Sequence, residues 1–280
     1  MQRVVPILLI LLAIAVAASL AWLYLASSFP GARGEITAEK RALPPFTRIV
    51  IEGLAEVTLV QGDADSVTVE APSKQLARVR TDVVDGTLTI GNAQSRRWWS
   101  VVLGGAARPA RITVSFRALE AISATGAVKL RAGRLKTERL NVSASGATSL
   151  KFVDLETKEL SVSGSGAMKA EFAGRATEQR VVISGAGDYR ATDLVSEDAR
   201  VSVSGAGRVA VRVEKTLKIA ISGAGTVEYL GDPKVTQQIS GPGRVKRRDA
   251  ADGRLEIASA NAARRPLAGD WAHQEPRVGH

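Results

Sequence analysis

The chain has 280 residues, with 38 Lys and Arg against 28 Asp and Glu, so its formal net charge is +10 at pH 7. Its 45% apolar composition is enough to bury a core, and the absence of cysteine excludes disulfides and thiol chemistry. The histidines, His273 and His280, lie within the last eight residues, so a histidine-ligated metal site or a histidine-dependent catalytic triad is not expected in the body of the chain.

The amino-terminal segment has the length and composition of a membrane span. Residues 4–25 carry no charged side chain and are rich in Leu, Ile, Val and Ala. As a helix this run would be about 33 Å long, against a hydrocarbon core of about 30 Å. We therefore expect an uncleaved signal anchor, a transmembrane helix, over residues 1–28, with a cleaved signal peptide as the alternative. Prolines and glycines then indicate a linker over residues 29–45.

The next part of the chain alternates apolar and polar residues in short segments, which is typical of β-strands. Strands are expected at residues 46–51, 57–61, 67–71, 79–84, 88–90 and 112–116. Asp85-Gly86 predicts a tight turn between two of them. These strands either begin the repeat described next or form an antiparallel cap over its end. Trp98 and Trp99 are interpreted as a plug at that end, with an exposed binding hot spot as the alternative.

A glycine-containing tetrad repeats through the second half of the chain. Its six clear copies are Ser143–Gly146, Ser163–Gly166, Ser184–Gly187, Ser204–Gly207, Ser222–Gly225 and Ser240–Gly243. With a weaker copy that ends at Gly126, the closing glycines are 20, 20, 21, 20, 18 and 18 residues apart. A fixed period near 20 residues indicates a solenoid, in which each unit buries its apolar face on its neighbours.

The segments on both sides of each tetrad alternate with period two, as in Val201-x-Val203 and Val209-x-Val211-x-Val213. The sequence therefore predicts an all-β fold, a right-handed parallel β-helix of about 20-residue coils over residues 46–248. Glycine at each corner would permit positive φ and close stacking, and the serines would form a ladder of hydroxyls. Residues 249–280 are expected to be a mostly disordered basic tail, with one short strand around Leu255 to Ile257.

Three motifs ahead of the tetrads carry a resemblance to a known family. They are Phe46-x-x-Ile49-x-Ile51-x-Gly53, Val57-x-Leu59-x-Gln61-Gly62 and Asp85-Gly86-x-Leu88-x-Ile90. Together with the tetrads, they resemble the putative auto-transporter adhesin, head GIN domain family over about residues 46–245. The resemblance implies a bacterial envelope protein with a right-handed β-helix, a role in adhesion and no assigned catalytic residues.

The expected function is that of a non-enzymatic, membrane-tethered surface for adhesion or structural binding. Its expected location is the bacterial cell envelope, anchored in the inner membrane through residues 4–25, with the domain in the periplasm or outside; secretion after signal cleavage is the alternative. The alternative function is a carbohydrate-active β-helix enzyme, a lyase or hydrolase. Such an enzyme needs clustered carboxylates, and the acidic residues here fall mostly near predicted turns, so no catalytic residue is assigned.

The tetrads are not expected to bind a cofactor or a metal. A phosphate-binding glycine loop needs a following Lys-Ser or Lys-Thr and a helix, and neither pattern is present here. Calcium-binding β-rolls need an aspartate after nearly every closing glycine, whereas only Asp188 takes that position. We therefore assign no cofactor-binding and no metal-binding residue.

The outward positions of the segment after each tetrad are mostly basic. The residues one, three and five places beyond the closing glycines include ten basic and three acidic side chains. We expect anionic polysaccharide or lipid head groups to bind Lys129, Arg131, Lys151, Lys169, Arg190, Arg208, Arg212 and Lys246. A merely solvated basic face is the alternative. Nucleic acid is not expected as a partner, because aromatic residues are not interleaved with these charges; homo-oligomers through the ends remain open.

Overall fold

The computed structural model describes residues 36–76, 78–92 and 110–248. These residues are nearly all in β-strands, which belong to one twelve-stranded, mostly parallel sheet, so the all-β prediction is confirmed. Within the described part of the chain, no helix has the length and hydropathy of a membrane span. The span predicted at residues 4–25, the tryptophans Trp98 and Trp99 and the tail from residue 249 lie outside the described residues.

The described elements follow one another as twelve strands and one short helix. They are β1 (Ile36–Ala42), β2 (Arg48–Gln61), β3 (Ser66–Pro72), α1 (Ser73–Leu76), β4 (Val79–Val84), β5 (Thr87–Asn92), β6 (Ala110–Phe116), β7 (Ala121–Gly185), β8 (Asp188–Gly205), β9 (Arg208–Gly223), β10 (Thr226–Leu230), β11 (Lys234–Ser240) and β12 (Arg244–Arg247).

The amino-terminal strands combine both kinds of pairing. Strands β1, β3 and β6 are antiparallel neighbours, and so are β4 and β5, whereas β2 pairs in parallel with β5, β6 and β7. Asp85 and Gly86 both have positive φ, 48° and 69°, and form the predicted tight turn between β4 and β5. Every residue of β1 pairs with β3, so part of the segment predicted as a linker, residues 29–45, lies in the sheet.

From β8 onward, each strand pairs in parallel with the segment about one repeat earlier, and we call each such segment a rung. Gly185 lies against Gly205, and Gly205 lies against Gly223. Within β7 the same stacking continues: a Cβ added to Gly146 would lie 2.7 Å from the carbonyl oxygen of Gly126. Each of these glycines has positive φ. A side chain at these corners would collide with the backbone of the previous rung, which explains the glycine repeat.

The stacked glycine is not the same member of every tetrad. Gly166, the closing glycine of its tetrad, stacks beneath Gly185, which is the second residue of the next. In the later tetrads the closing glycine is buried over the core instead, where a Cβ on Gly187 would lie 2.8 Å from Ile183 Cγ2. The later tetrads therefore need two glycines for two reasons: one for close backbone stacking, one to leave room over a core side chain.

The core consists of the inward residues of all rungs. Val201, Val203, Val209, Val211 and Val213 are each at most 2% exposed, as their alternation predicts. They belong to one hydrophobic cluster that extends from Phe46 to Val227. Because the two faces of every rung alternate between this core and solvent, the outward residues form rows across successive rungs.

Thr148 is the one inward hydroxyl of the described residues whose oxygen is buried without a hydrogen-bond partner. Val128 and Met168 take the equivalent positions one repeat before and after it. Replacing Thr148 by the similarly shaped Val should raise the free energy of unfolding by about 1 kcal/mol, because the cost of the unsatisfied hydroxyl disappears. Denaturant unfolding followed by circular dichroism measures the change.

Thr157→Val is the matched control. The Thr157 hydroxyl is also buried but lies 3.2 Å from the carbonyl oxygen of Glu138 and 3.1 Å from that of Glu159, to which it can donate. Its removal should lower the free energy of unfolding by about 1 kcal/mol. Equal losses in both variants would contradict the difference in hydrogen bonding between the two sites.

Candidate functional site

The predicted anion-binding residues lie on the rung segments that follow the stacked glycines, and we call their outward surface the basic face. In one row of this face, each residue pairs with the next on the neighbouring strand: Lys169, Asp188, Arg208 and Thr226. A second row contains Glu171, Arg190, Ala210, Glu228 and Lys246, each paired with the next. Basic and acidic residues therefore share both rows.

This register differs from the one expected when the closing glycines are aligned. That alignment puts Lys169 beside Arg190, but Lys169 pairs with Asp188, and Arg190 pairs with Glu171. The shift of two positions follows from the change of stacked glycine between Gly166 and Gly185. As a result, acidic residues come between basic ones where the sequence suggested continuous positive charge.

Four of the eight predicted residues are engaged in ion pairs. The ammonium groups of Lys129, Lys151 and Lys169 lie 3.1–3.4 Å from a glutamate oxygen, Glu56 for the first and Glu171 for the other two. Arg190 Nη2 lies 2.8 Å from an oxygen of Asp188. These are surface pairs that contribute little stability, about 0–1 kcal/mol each, but they offset the positive charge of this part of the face.

Glu171 lies between two lysines and keeps its charge to lower pH than an isolated glutamate. The hydrogen bond from Lys169 is the main cause that holds the pKa of Glu171 below its ordinary value, and Lys151 adds to it, against the opposing effect of partial burial. One ionised carboxylate is therefore shared by both lysines and offsets one of their two positive charges. The positive charge that this pair of lysines offers to an external anion is reduced accordingly.

The other four predicted residues are exposed and have no acidic partner among the described residues. They are Arg131, Arg208, Arg212 and Lys246. Three of them lie in the late rungs, where Arg208 and Arg244 are separated by a single residue, Thr226, in the same row. The uncompensated positive charge of the basic face is thus concentrated at its carboxyl-terminal end, a difference that was not predicted from the sequence.

The segments before the stacked glycines present a different surface, made of hydroxyls and a second set of basic residues. Ser184, Ser204, Ser222 and Ser240 pair in one row, as the predicted hydroxyl ladder requires. In earlier rungs, Ser143 Oγ and Ser163 Oγ are 3.2 Å apart. The serines are exposed and short, so this face is open to solvent.

Arg180, Arg200 and Lys218 form a further row on that same face, which was not predicted from the sequence. Each of these residues precedes the serine of its tetrad by four positions, so the signal was present in the repeat. They line a groove of about 330 Å³, and a second groove of about 250 Å³ is lined mainly by serines such as Ser143 and Ser163.

The acidic side chains of the described residues are not gathered at either groove or in a metal-binding cluster. No Asp or Glu lines either of the two grooves. Over residues 36–76, 78–92 and 110–248, no group of three or more His, Asp or Glu side chains is arranged to hold a metal ion. Both kinds of site need several such groups in one place.

Three solved structures from Bacteroides and Parabacteroides have a similar fold. A putative adhesin from Bacteroides fragilis NCTC 9343 is 20% identical, with a TM-score of 0.69 over 76% of this chain and 97% of that one. A putative adhesin from Parabacteroides merdae ATCC 43184 is 20% identical, with a TM-score of 0.57 over 77% and 97%. A putative lipid binding protein from Parabacteroides distasonis ATCC 8503 is 18% identical, with a TM-score of 0.58 over 77% and 98%. At these identities the likeness concerns the fold alone.

No curated protein sequence matches the chain. The family model of the putative auto-transporter adhesin, head GIN domain matches residues 45–233, which include every strand from β2 to β10. This agrees with the motifs at Phe46 to Gly62 and with the glycine tetrads. The chain therefore belongs to the putative auto-transporter adhesin, head GIN domain family.

Proposed function

We propose that this chain is a non-enzymatic, adhesin-like binding domain. It attaches to anionic groups at the cell envelope through the carboxyl-terminal end of the basic face. The observation that carries the proposal is the set of exposed basic residues without an acidic partner among the described residues, chiefly Arg208, Arg212 and Lys246. Exposed charges that are not neutralised by the protein itself create a positive potential that attracts anions.

The scaffold we propose is a right-handed parallel β-helix. Parallel pairing of each rung with the rung one repeat earlier supports it, as does the stacking of glycines such as Gly185, Gly205 and Gly223. The handedness follows from the strong preference of crossovers between parallel strands. A scaffold of this kind holds outward side chains at the fixed spacing of its paired strands.

The proposed location is the cell envelope, with residues 4–25 as the membrane anchor. The family's description as an adhesin head domain supports an envelope or surface location. The length and apolar composition of residues 4–25 support the anchor. A carbohydrate-active enzyme is the less favoured function, because neither groove is lined by a carboxylate that could act as acid, base or nucleophile.

We propose anionic lipid head groups as the ligand of the basic face, with anionic glycan as the alternative. The face is an open sheet surface, so its charges can meet a membrane surface simultaneously. A structural neighbour from Parabacteroides distasonis is named a putative lipid binding protein, which is consistent with this choice. Each basic residue near an anionic membrane contributes about 1 kcal/mol of attraction.

The proposal predicts that R208Q/R212Q/K246Q binds phosphatidylglycerol vesicles roughly a hundredfold more weakly than the parent, from about 1 kcal/mol per lost charge. The measurement is vesicle co-sedimentation of the chain without residues 1–35, so that the apolar segment does not insert. Binding should weaken as salt rises, because about 1 M salt shortens the screening length to about 3 Å.

K129Q/K151Q/R190Q is the matched control, since it removes three charges of the same face that already have acidic partners. It should reduce vesicle binding much less. Equal losses in the two triple variants would show that net charge alone governs binding and would contradict the assignment to the late rungs. Binding of an anionic glycan but not of the vesicles would favour the alternative ligand.

A further inference from the structure

Arg180, Arg200 and Lys218 form a row of like charges across three successive rungs. Arg180 pairs with Arg200, and Arg200 pairs with Lys218, in the parallel register of β7, β8 and β9. All three side chains are exposed. Neighbouring strands are about 4.8 Å apart, so these cations follow one another at close and regular intervals. The row lies before the stacked glycines and shares no residue with the basic face.

Such a row is unfavourable for the protein by itself. Like charges directly opposite each other on neighbouring strands destabilise a sheet. Only Arg200 is relieved by an acid, through an ion pair with Glu178. Arg180 and Lys218, at the two ends of the row, have no acidic partner in the described part of the chain. A repeat sequence that could place any polar residue here instead places three cations in line.

The row forms one side of the 330 Å³ groove. Beside it lies a second row of short or neutral side chains, Val182, Ser202, Ala220 and Gln238, paired in the same register. The small residues leave space next to the long basic ones, so the groove runs across the rungs. Hydroxyl and amide groups in it can exchange hydrogen bonds with a polar ligand, and none of its lining residues is acidic or aromatic.

We propose that this groove binds a linear polysaccharide that carries carboxylates. A guanidinium group forms paired hydrogen bonds with a carboxylate, and an ammonium group attracts it as a point charge. Cations repeated along a groove match an extended polymer with repeated acidic sugars, while Ser202 and Gln238 suit its hydroxyls. We favour a polymer over a membrane surface here, because the cations stand along one side of a groove that crosses the rungs.

The test uses the full-length chain in non-ionic detergent and polygalacturonate as the probe, measured by titration calorimetry. R180Q/K218Q should bind about tenfold more weakly or worse, because each lost charge-assisted hydrogen bond is worth about 1.5–3 kcal/mol and 1.4 kcal/mol is tenfold. R175Q/K234Q removes the same charge from exposed positions that belong neither to the basic face nor to a groove, and should keep polygalacturonate binding within about twofold of the parent. Methyl-esterified polygalacturonate, without the carboxylates, should bind neither protein.

A second readout follows from the repulsion within the row. R180Q/K218Q should melt at the same or a higher temperature than the parent without ligand, and polygalacturonate should raise the melting temperature of the parent only. Equal loss of binding in R180Q/K218Q and R175Q/K234Q would overturn the groove, as would equal binding of the esterified polymer or full displacement by phosphatidylglycerol vesicles. The groove and the basic face share no residue. The prediction of vesicle binding by the basic face can therefore fail while that of polygalacturonate binding by the groove succeeds, or the other way round.

Discussion

Gly174→Ala should destabilise the domain by roughly 3 kcal/mol or more, the largest effect we expect from removing a glycine. Gly174 has a φ of +125°, a backbone conformation that residues with a side chain rarely adopt. A Cβ at this position would lie 2.1 Å from the carbonyl oxygen of Leu155 and 2.6 Å from its nitrogen. Those are backbone atoms of the neighbouring rung, so relief requires that the rungs move apart. Guanidinium unfolding followed by circular dichroism measures the loss.

Gly133→Ala is the control for this prediction. Gly133 also lies within β7, but nothing would be within 4 Å of an added Cβ, and its φ is outside the positive range. The substitution should leave stability unchanged or raise it by about 0.4–1 kcal/mol, because alanine restricts the unfolded chain. A Gly174→Ala protein as stable as Gly133→Ala would mean that the rungs are not held at the spacing seen here.

The inward half of the fold could be predicted from the sequence, because burial imposes a period of two on every rung. Residues such as Val181, Ile183 and Leu160 are buried where alternation put them. The glycine corners could be predicted as well, since positive φ and close backbone approach leave few other choices. Gly174 was not singled out, because it stands outside the tetrads and its need for glycine comes from Leu155, which only the register brings near.

The outward half could be predicted less well, because no burial fixes its register. The spacing of the tetrads changes from rung to rung, and either of two glycines can take the stacked position. A shift of two residues keeps the inward pattern intact but exchanges the neighbours of every outward charge. Lys169 thereby gains Asp188 as its neighbour instead of Arg190. The composition of the basic face was therefore predictable, but its ion pairs and its uncompensated end were not.

One polar cluster inside the core also could not be predicted from the sequence. Gln179 is fully buried at an inward position, where the alternation of the strand otherwise places apolar residues. Its Nε2 donates a hydrogen bond to Tyr189 Oη at 2.5 Å. Ser196 Oγ lies 3.2 Å from Gln179 Oε1 and 2.9 Å from the carbonyl oxygen of Arg212. Burial raises the pKa of Tyr189 above its ordinary value, so the phenol stays protonated. These partners meet only because irregular register in β8 brings three separated positions together.

The same region contains an aromatic stack that should dominate the stability of the middle rungs. The rings of Phe152 and Phe172 are stacked with centroids 4.6 Å apart and planes within 6°. Phe172 also contacts Tyr189, with centroids 5.4 Å apart. All three side chains are at most 2% exposed. Phe172 is the middle ring and packs against aromatic partners on two sides, so its removal breaks both contacts at once.

Phe172→Ala should therefore lower the free energy of unfolding by about 3–5 kcal/mol, the range for deleting a buried phenylalanine from a packed core. Phe172→Leu, which refills most of the volume without the ring, should cost less than about 1.5 kcal/mol. The unfolding midpoint in guanidinium, at an unchanged slope, gives both values. A Phe172→Ala protein that unfolds at the same midpoint as Phe172→Leu would show that the ring is not enclosed between rungs. The cavity left by Phe172→Ala would open beneath Tyr189, so we expect this variant to lose the hydrogen bond between Tyr189 and Gln179. Phe172→Leu should keep that hydrogen bond.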